Sequence, residues 1–372
     1  MSKMRAAQYY GRRDVRVEDV PIPEPGPGEC LVEVEWCGIC GSDLHEYVAG
    51  PVGIPTPERP HPLTGGQTPL TLGHEFCGRI KTIPPGSSLG SSSKWKVGQA
   101  VMVDPHVVCR SCLSCTSGND QMCSTLAFVG ISDSRRGGGL SEYVVVEEDH
   151  IHALPDNVGL EYAAVIEPLA VGHHAAKMAN TDLRGLDVLI VGGGPVGVGM
   201  ISVLRAHGVG TLLLSEPTAA RWAHAKATVD RVIDPKTENV GDVCRSLTDG
   251  GKGVDVVFDC AGVQPGLDAG MDALRPGGTL VNVAIWEQSP AIPFWRFFLK
   301  ELKFVSSACY NMADFKEVVE LIGKGQFQGY EKMVTSRVAL EDVVEKGFEE
   351  LVNNRDNQIK ILISPKLRSS QT

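Results

Sequence analysis

The chain has 372 residues, enough for two domains at roughly 150 residues each. It carries 35 Lys and Arg against 45 Asp and Glu, a formal charge of −10, and no basic run exceeds two residues. Phosphate binding draws on clustered cations, so no nucleic-acid partner is expected; 42% hydrophobic residues supply a sizeable core.

The amino-terminal MSKMRAAQYYGRRDVRVEDV lacks the apolar stretch of a secretory signal. The uncharged stretch from Val188 to Leu204 is broken by five Gly and a Pro, so no membrane segment is expected either. The chain therefore reads as cytoplasmic. Thiols stay reduced there, and eleven cysteines point to metal ligation before disulfides.

The first 30 residues read as strands ended by the turn cluster PIPEPGPG (21–28), and Leu31, Val32, Val34 and Trp36 suggest another strand. Residues 50–73, rich in Pro, Gly and Thr, read as a long loop of the kind that forms walls and lids. Residues 84–93 (PPGSSLGSSS) read as a solvated surface insertion.

Cys109, Cys112, Cys115 and Cys123 follow as C-x2-C-x2-C-x7-C. Four thiolates this close can surround one zinc ion and leave no open position, as a structural site requires. An iron–sulfur cluster is the competing reading, but its usual spacings differ and place Pro after the last Cys.

After about Asp156 short apolar strands alternate with Gly- or Ala-rich helices, the pattern of βαβ units around a parallel sheet. Gly192-Gly193-Gly194-Pro195-Val196-Gly197 fits G-x-G-x-x-G between a strand and a helix. That context is the dinucleotide fingerprint, with the pyrophosphate at the helix start. Glu216, at the end of the next strand, suits the ribose diol of NAD and repels the 2′-phosphate of NADP. Arg221 stands close enough in sequence to join the cofactor-binding set. Amphipathic helices are expected at 314–324 and 340–353, and the last strand, IKILISP, is expected to return to the first domain.

A third constellation is scattered: GICGSDLH (38–45), Gly73-His74-Glu75 and Glu167-Pro168. A catalytic zinc takes about three protein ligands and keeps one position open. Cys40, His74 and a carboxylate from Glu75 or Glu167 would supply them. Taken singly, each is a weak signal, because a lone Cys is usually core and a lone Glu usually a solvated surface residue. Trp286 and residues 47–51 are candidate pocket walls, and Trp286 reads equally well as core. Cys30, Cys37, Cys77, Cys244, Cys260 and Cys309 read as packed thiols. His61, His106, His150, His152, His207 and His224 read as ordinary surface or loop residues.

Together WCGICGSDLHEYVAGP (36–51), HPLTG (61–65), LGHEF (72–76), IEPLAV (166–171), FDCAGVQ (258–264), VNVAIWE (281–287) and EKGFEELVNN (345–354) carry a resemblance over nearly the whole chain. The sequence resembles the zinc-dependent medium-chain dehydrogenase/reductase family, within it the polyol branch, and there the members acting on 2,3-butanediol and acetoin. The resemblance implies an α/β protein with two parts. One is a GroES-like, β-rich catalytic domain (1–165, with a structural-zinc lobe at about 104–125, and 312–372). The other is a doubly wound Rossmann domain (166–311), with the active site in the cleft between.

It also implies two zinc ions per chain and NAD. Cys40 and His74 match catalytic zinc ligands, and Glu75 matches a neighbouring carboxylate ligand. Glu167 stands where a third cysteine ligand is found in alcohol dehydrogenases, so either acid can complete the shell. Ser42 and His45 match a proton relay, and Asp43 the carboxylate that orients the zinc-bound histidine. The implied reaction interconverts a vicinal diol and its hydroxyketone, through zinc-assisted ionisation of the hydroxyl and hydride transfer to NAD. A homodimer or homotetramer is implied. Dehydrogenases for sorbitol, xylitol or threonine, and a non-catalytic NAD-binding protein, are the alternatives.

Overall fold

The computed structural model describes residues 2–83 and 95–369. The expected surface insertion at 84–93 lies outside the described residues. The chain divides into two compact units: Met1–Glu167 with Asn311–Gly323 and Val334–Thr372, and Pro168–Tyr310 with Lys324–Met333.

In the first unit β1 (Lys3–Gly11) and β2 (Asp14–Pro21) pair antiparallel. β3 (Glu29–Gly38), rich in Val and Leu, leads into α1 (Gly41–Ala49). The segment after α1 contains only one short strand before residue 75, β4 (Leu70–Thr71), which extends the β1–β2 sheet. β5 (Glu75–Thr82), β6 (Ala100–Val103), β7 (His106–Val107), the single turn α2 (Leu113–Thr116), β8 (Ala127–Phe128), β9 (Tyr143–Glu147), β10 (Ile151–Ala153) and α3 (Leu160–Ala163) follow. The unit boundary falls near the start of α4 (Ile166–Met178).

The second unit strings β11 (Val188–Val191), α5 (Pro195–Ala206), β12 (Leu212–Ser215), α6 (Ala219–Ala225), β13 (Arg231–Ile233), α7 (Val240–Leu247), β14 (Val254–Asp259), α8 (Gln264–Ala273), β15 (Leu274–Asn282), α9 (Phe294–Lys300) and β16 (Lys303–Ser306). Its six strands form one parallel sheet in the order β13-β12-β11-β14-β15-β16. Every residue of β11, β12 and β14 is buried, the mark of a parallel sheet covered on both faces. The strand order reverses between β11 and β14, the place where such sheets open a crevice for ligands.

The chain then returns to the first unit through α10 (Met312–Gly323), β17 (Val334–Ala339), α11 (Glu349–Asn353) and β18 (Lys360–Ser364). β18 pairs antiparallel with the end of β3, Leu362 opposite Gly38 and Ile363 opposite Cys37. The large mixed sheet thus runs β10-β6-β5-β3-β18-β17, with β9 also on β3.

The return is interrupted. Residues 324–333, expected within a continuous 312–372 return, cluster with the second unit. There Ser202 Oγ donates to Gln328 O (3.0 Å), and Met333 packs where a Cβ on Gly199 would stand 3.5 Å away. The helix expected over 340–353 is also not continuous: a 3-10 turn (Leu340–Asp342) and a π turn (Val343–Phe348) precede α11.

An ion network fastens the first unit. Glu29 accepts from Gly26 N (2.8 Å), Arg135 Nη1 (3.0 Å) and Arg136 Nε (2.9 Å), while Arg136 also reaches Asp133 (2.9 Å) and Glu147 (2.6 Å). Burial alone would raise the Glu29 carboxyl; its two arginines and the Gly26 N–H more than reverse this and hold it at about 2. A depressed native pKa stabilises the fold fully above the ordinary value of 4.5 and loses that contribution as pH falls toward 2. Glu29→Gln should cost roughly 3 kcal/mol at pH 7, because it leaves a buried guanidinium short of its partner. Denaturant unfolding of both proteins should show that difference constant above the ordinary value and shrinking below it.

Candidate functional site

Two cysteine-bearing centres lie in the first unit. In the lobe between β7 and β8, the four sulfurs of Cys109, Cys112, Cys115 and Cys123 all lie within 4.8 Å of one another. Cys112 to Cys115 is 3.5 Å and Cys109 to Cys115 is 4.0 Å. A zinc tetrahedron with bonds of about 2.3 Å has edges of about 3.8 Å, so the cage has zinc's size. Backbone N–H groups of Cys112 and Thr125 point at the sulfurs of Cys109 (3.3 Å) and Cys123 (3.4 Å), as they do toward thiolates. Bonds from Ser111 and Cys112 pull Cys109 down to about 5; burial and neighbouring sulfurs push Cys115 up to about 12. Sulfurs so close cannot all ionise without a cation among them.

The lobe is tied down at both ends. Arg110, in a left-handed conformation between ligands, donates to Asp149 (2.7 Å) and Glu147. The Asp120 carboxylate accepts the Met312 N–H that opens α10 (3.3 and 3.4 Å).

The second centre gathers residues far apart in sequence. Cys40 is the N-cap of α1, and its N–H donates to Asp43 Oδ2 (3.0 Å), the reciprocal bond of a capping box. That bond holds Asp43, buried, with Oδ1 3.3 Å from His74 Nδ1. The opposite ring nitrogen, Nε2, lies 3.3 Å from Ser42 Oγ. Ligand atoms of Cys40, His74 and Glu75 all lie within 4.8 Å of one another. Glu167 is buried nearby but does not share that group. His45, partly buried, stands one turn along α1 from Ser42.

Lys360 completes the arrangement, and no sequence motif pointed to it. Its side chain is 2% exposed, and its ammonium lies 2.6 and 2.7 Å from the two Glu75 oxygens and donates to Ile39 O (3.2 Å). The available signal was a lone lysine opening the apolar strand KILIS. Burial would lower the His74 imidazole's pKa, but Asp43 and Cys40 more than reverse this and the net shift is upward. Burial and the Glu75 charge push Glu167 up to about 7, with His74, His106 and Lys360 pulling the other way. A thiol, an imidazole and carboxylates buried together form a donor set that fits a divalent cation.

In the second unit the glycine loop behaves as three different constraints. Gly192 turns the chain at φ +96°, and a Cβ on Gly197 would stand 1.9 Å from Gly192 O, so α5 packs where no side chain fits. A Cβ on Gly194 would meet only Arg221 Nη1, at 3.9 Å, which leaves room above the start of α5. Pro195 is the first residue of the helix and Val196 the second. Glu216 is buried, accepting from Gly193 N (2.6 Å) and Thr218 N (2.8 Å), with Arg221 Nη1 3.9 Å away. The acid and the glycine loop therefore meet at one point.

Other expectations fare differently. Tyr47 is core, stacked on Phe348 (4.9 Å between centroids) and donating to Glu349 (2.6 Å). Trp286 packs partly against the core of the second unit and donates to Asn282 (2.9 Å). Cys30, Cys37, Cys77 and Cys244 are buried thiols, while Cys260 and Cys309 are half-buried. His106 and His150, expected as ordinary surface or loop residues, are buried, each tied to Asp104.

Comparison with known proteins finds relatives over nearly the whole chain. Residues 26–156 match the family model "alcohol dehydrogenase GroES-like domain" and residues 195–324 match "zinc-binding dehydrogenase". The (R,R)-butanediol dehydrogenase of Neisseria gonorrhoeae is 36% identical, over 98% of this chain and 100% of that protein. D-xylulose reductase A of Aspergillus oryzae is 32% identical, over 95% of this chain and 94% of its own length. The crystal structure of 2R,3R-butanediol dehydrogenase from Bacillus subtilis superposes with a TM-score of 0.88 at 32% identity, covering 98% of this chain and 100% of that one.

The glycine loop yields a test. Gly197→Ala drives a methyl against backbone and should cost about 1–3 kcal/mol, whereas Gly194→Ala should melt close to the wild type. Thermal unfolding of the two variants side by side measures the contrast.

Proposed function

We propose that this chain, which belongs to the zinc-binding alcohol dehydrogenase family, interconverts a vicinal secondary diol and its hydroxyketone with NAD. The expected pair is (R,R)-2,3-butanediol and acetoin. The observation that carries this reading is full-length likeness to (R,R)-butanediol dehydrogenases in a chain whose Cys40, His74 and Glu75 converge on one point.

Cys40, His74 and a carboxylate, Glu75 or Glu167, would hold a zinc ion, and Cys109, Cys112, Cys115 and Cys123 a second, structural one. When bound, the first ion supplies Lewis acidity that lowers a hydroxyl's pKa, and NAD supplies the hydride acceptor. The chain's own residues do the rest. Asp43 fixes the His74 tautomer through Nδ1, which leaves Nε2 for the metal. Ser42 Oγ, beside Nε2, is placed to take the hydroxyl proton and pass it one turn along α1 to His45. A histidine ring, which both takes up and gives up a proton, suits the outer end of such a relay. Lys360 balances the Glu75 charge.

Gly192, Gly194, Pro195, Val196 and Gly197 would seat the pyrophosphate at the start of α5. Glu216, with Arg221 beside it, would favour NAD by repelling a 2′-phosphate.

The reading extends to assembly and place. α9 exposes Phe294, Trp295, Phe298 and Leu299, and β16 is an edge strand of the six-stranded sheet. An apolar face beside an open edge supports a homo-oligomer, dimer or tetramer. Eleven free cysteines support the reducing cytoplasm. Among the described residues no helix is long and apolar enough to cross a membrane.

Two measurements decide the matter. Metal analysis should find two zinc per chain, with Cys40→Ser losing one together with turnover, and Cys112→Ser losing the other mainly at the cost of stability. Initial rates with NAD should favour (2R,3R)-butanediol over sorbitol and xylitol. Equal rates on sorbitol would move the assignment to the polyol reading that the D-xylulose reductase likeness supports.

A further inference from the structure

At the carboxyl end of β14, in the second unit, one aspartate ties two loops together. Asp259 is buried, and its Oδ1 accepts from both Ala261 N (3.0 Å) and Gly262 N (3.1 Å), which caps the turn that follows the strand. Its backbone carbonyl accepts from Val283 N (2.9 Å) and Ala284 N (3.0 Å), in the segment that follows β15. Four N–H groups thus close on one residue. Oδ1 makes both side-chain bonds, and Oδ2 has no hydrogen-bond partner among the described residues.

The turn lies beside the glycine loop. A Cβ on Gly192 would stand 3.0 Å from Ala261 Cβ and 3.1 Å from Ala261 N, and Cys260 N donates to Val191 O (2.9 Å). On the other side Gly262, at φ +63°, would bring a Cβ to 3.0 Å from Ala284 Cβ and 3.1 Å from Ile285 O. Ala261 and Gly262 are wedged between the loop after β11 and the segment after β15. The neighbours of β11 then give a direction, because β12 and β14 pair with its opposite edges. A dinucleotide with its pyrophosphate at the start of α5 and its adenosine ribose at Glu216, just after β12, would extend its other half toward the end of β14.

We propose that Asp259 is a positioning residue for the nicotinamide half of the cofactor, holding the Ala261–Gly262 turn as the floor that receives it. This rests on the NAD reading above and divides the site between two acids, Glu216 for adenosine and Asp259, through its turn, for nicotinamide. Without the Oδ1 cap, two N–H groups lose their partner and the turn is free to shift. The glycine loop keeps its own bonds, Gly192 N to Ser215 O (2.9 Å) and Gly193 N to Glu216 (2.6 Å).

The test is calorimetric titration of the zinc-loaded protein with NADH and with ADP, which carries the adenosine and pyrophosphate alone. Asp259→Ala should weaken NADH binding about tenfold, the worth of one net hydrogen bond, and leave ADP binding unchanged. Asp259→Asn keeps an oxygen at the capping position and should restore NADH binding to the wild-type range. Equal weakening of NADH and ADP in Asp259→Ala marks a general loss of structure and overturns the proposal, as does unchanged NADH binding. Asp259→Asn binding NADH as weakly as Asp259→Ala overturns it too, since the cap is then not what matters. Should Asp259→Ala not fold, Gly262→Ala decides, because its methyl presses the same turn against Ala284. That variant should weaken NADH and spare ADP, and any other outcome overturns the proposal. A wild type that binds neither ligand overturns the NAD reading and this proposal together. One that binds NADH no more tightly than ADP overturns this proposal alone.

Discussion

The ion pair between Lys360 and Glu75 is the interaction on which the first unit's arrangement turns. Both side chains are almost wholly removed from water, and a charge buried without its partner costs several kcal/mol. The pair is satisfied only if β18, the last strand of the chain, lies against the end of β3 with its first residue next to the start of β5. The carboxyl-terminal segment is therefore part of the site's frame. Asp43 answers the same demand on the other side, bonded at once to the Cys40 N–H and facing His74. Opposed charges thus hold Glu75, through Lys360, and His74, through Asp43.

The second unit is governed by different physics. Excluded volume shapes the glycine loop. Gly197 lies so close to the Gly192 carbonyl that even a methyl is excluded, and this sets how tightly α5 sits over the end of β11. The helix start then presents unpaired N–H groups beside the point where the strand order reverses. Glu216 caps the loop from the next strand, bound to the Gly193 N–H.

Legibility in the sequence followed locality. The four lobe cysteines lie within fifteen residues, so their spacing alone implies a cage, and the sulfurs do converge. The glycine loop, its preceding strand and its helix are likewise contiguous. The choice between Glu75 and Glu167 was not legible, because it depends on which acid the fold brings within reach of Cys40 and His74. Lys360 and Asp104–His106 were missed for the same reason. A lysine at a strand end and a histidine before a cysteine lobe look like surface residues until the strands around them are placed. Tyr47 shows the converse: it neighbours site residues in sequence, but its ring stacks into the core.

The sequence by itself determined the two-unit α/β plan, the cysteine cage, the glycine loop between strand and helix and the family, because each is written in residues that act on near neighbours or in long contiguous motifs. Only the tertiary structure decided which distant side chains share the buried centre. It also showed that Lys360 neutralises Glu75, that 324–333 leave the returning segment, and that His106 is buried against Asp104. The reason is physical. Burial and charge pairing depend on which strands lie side by side, and no local pattern encodes that.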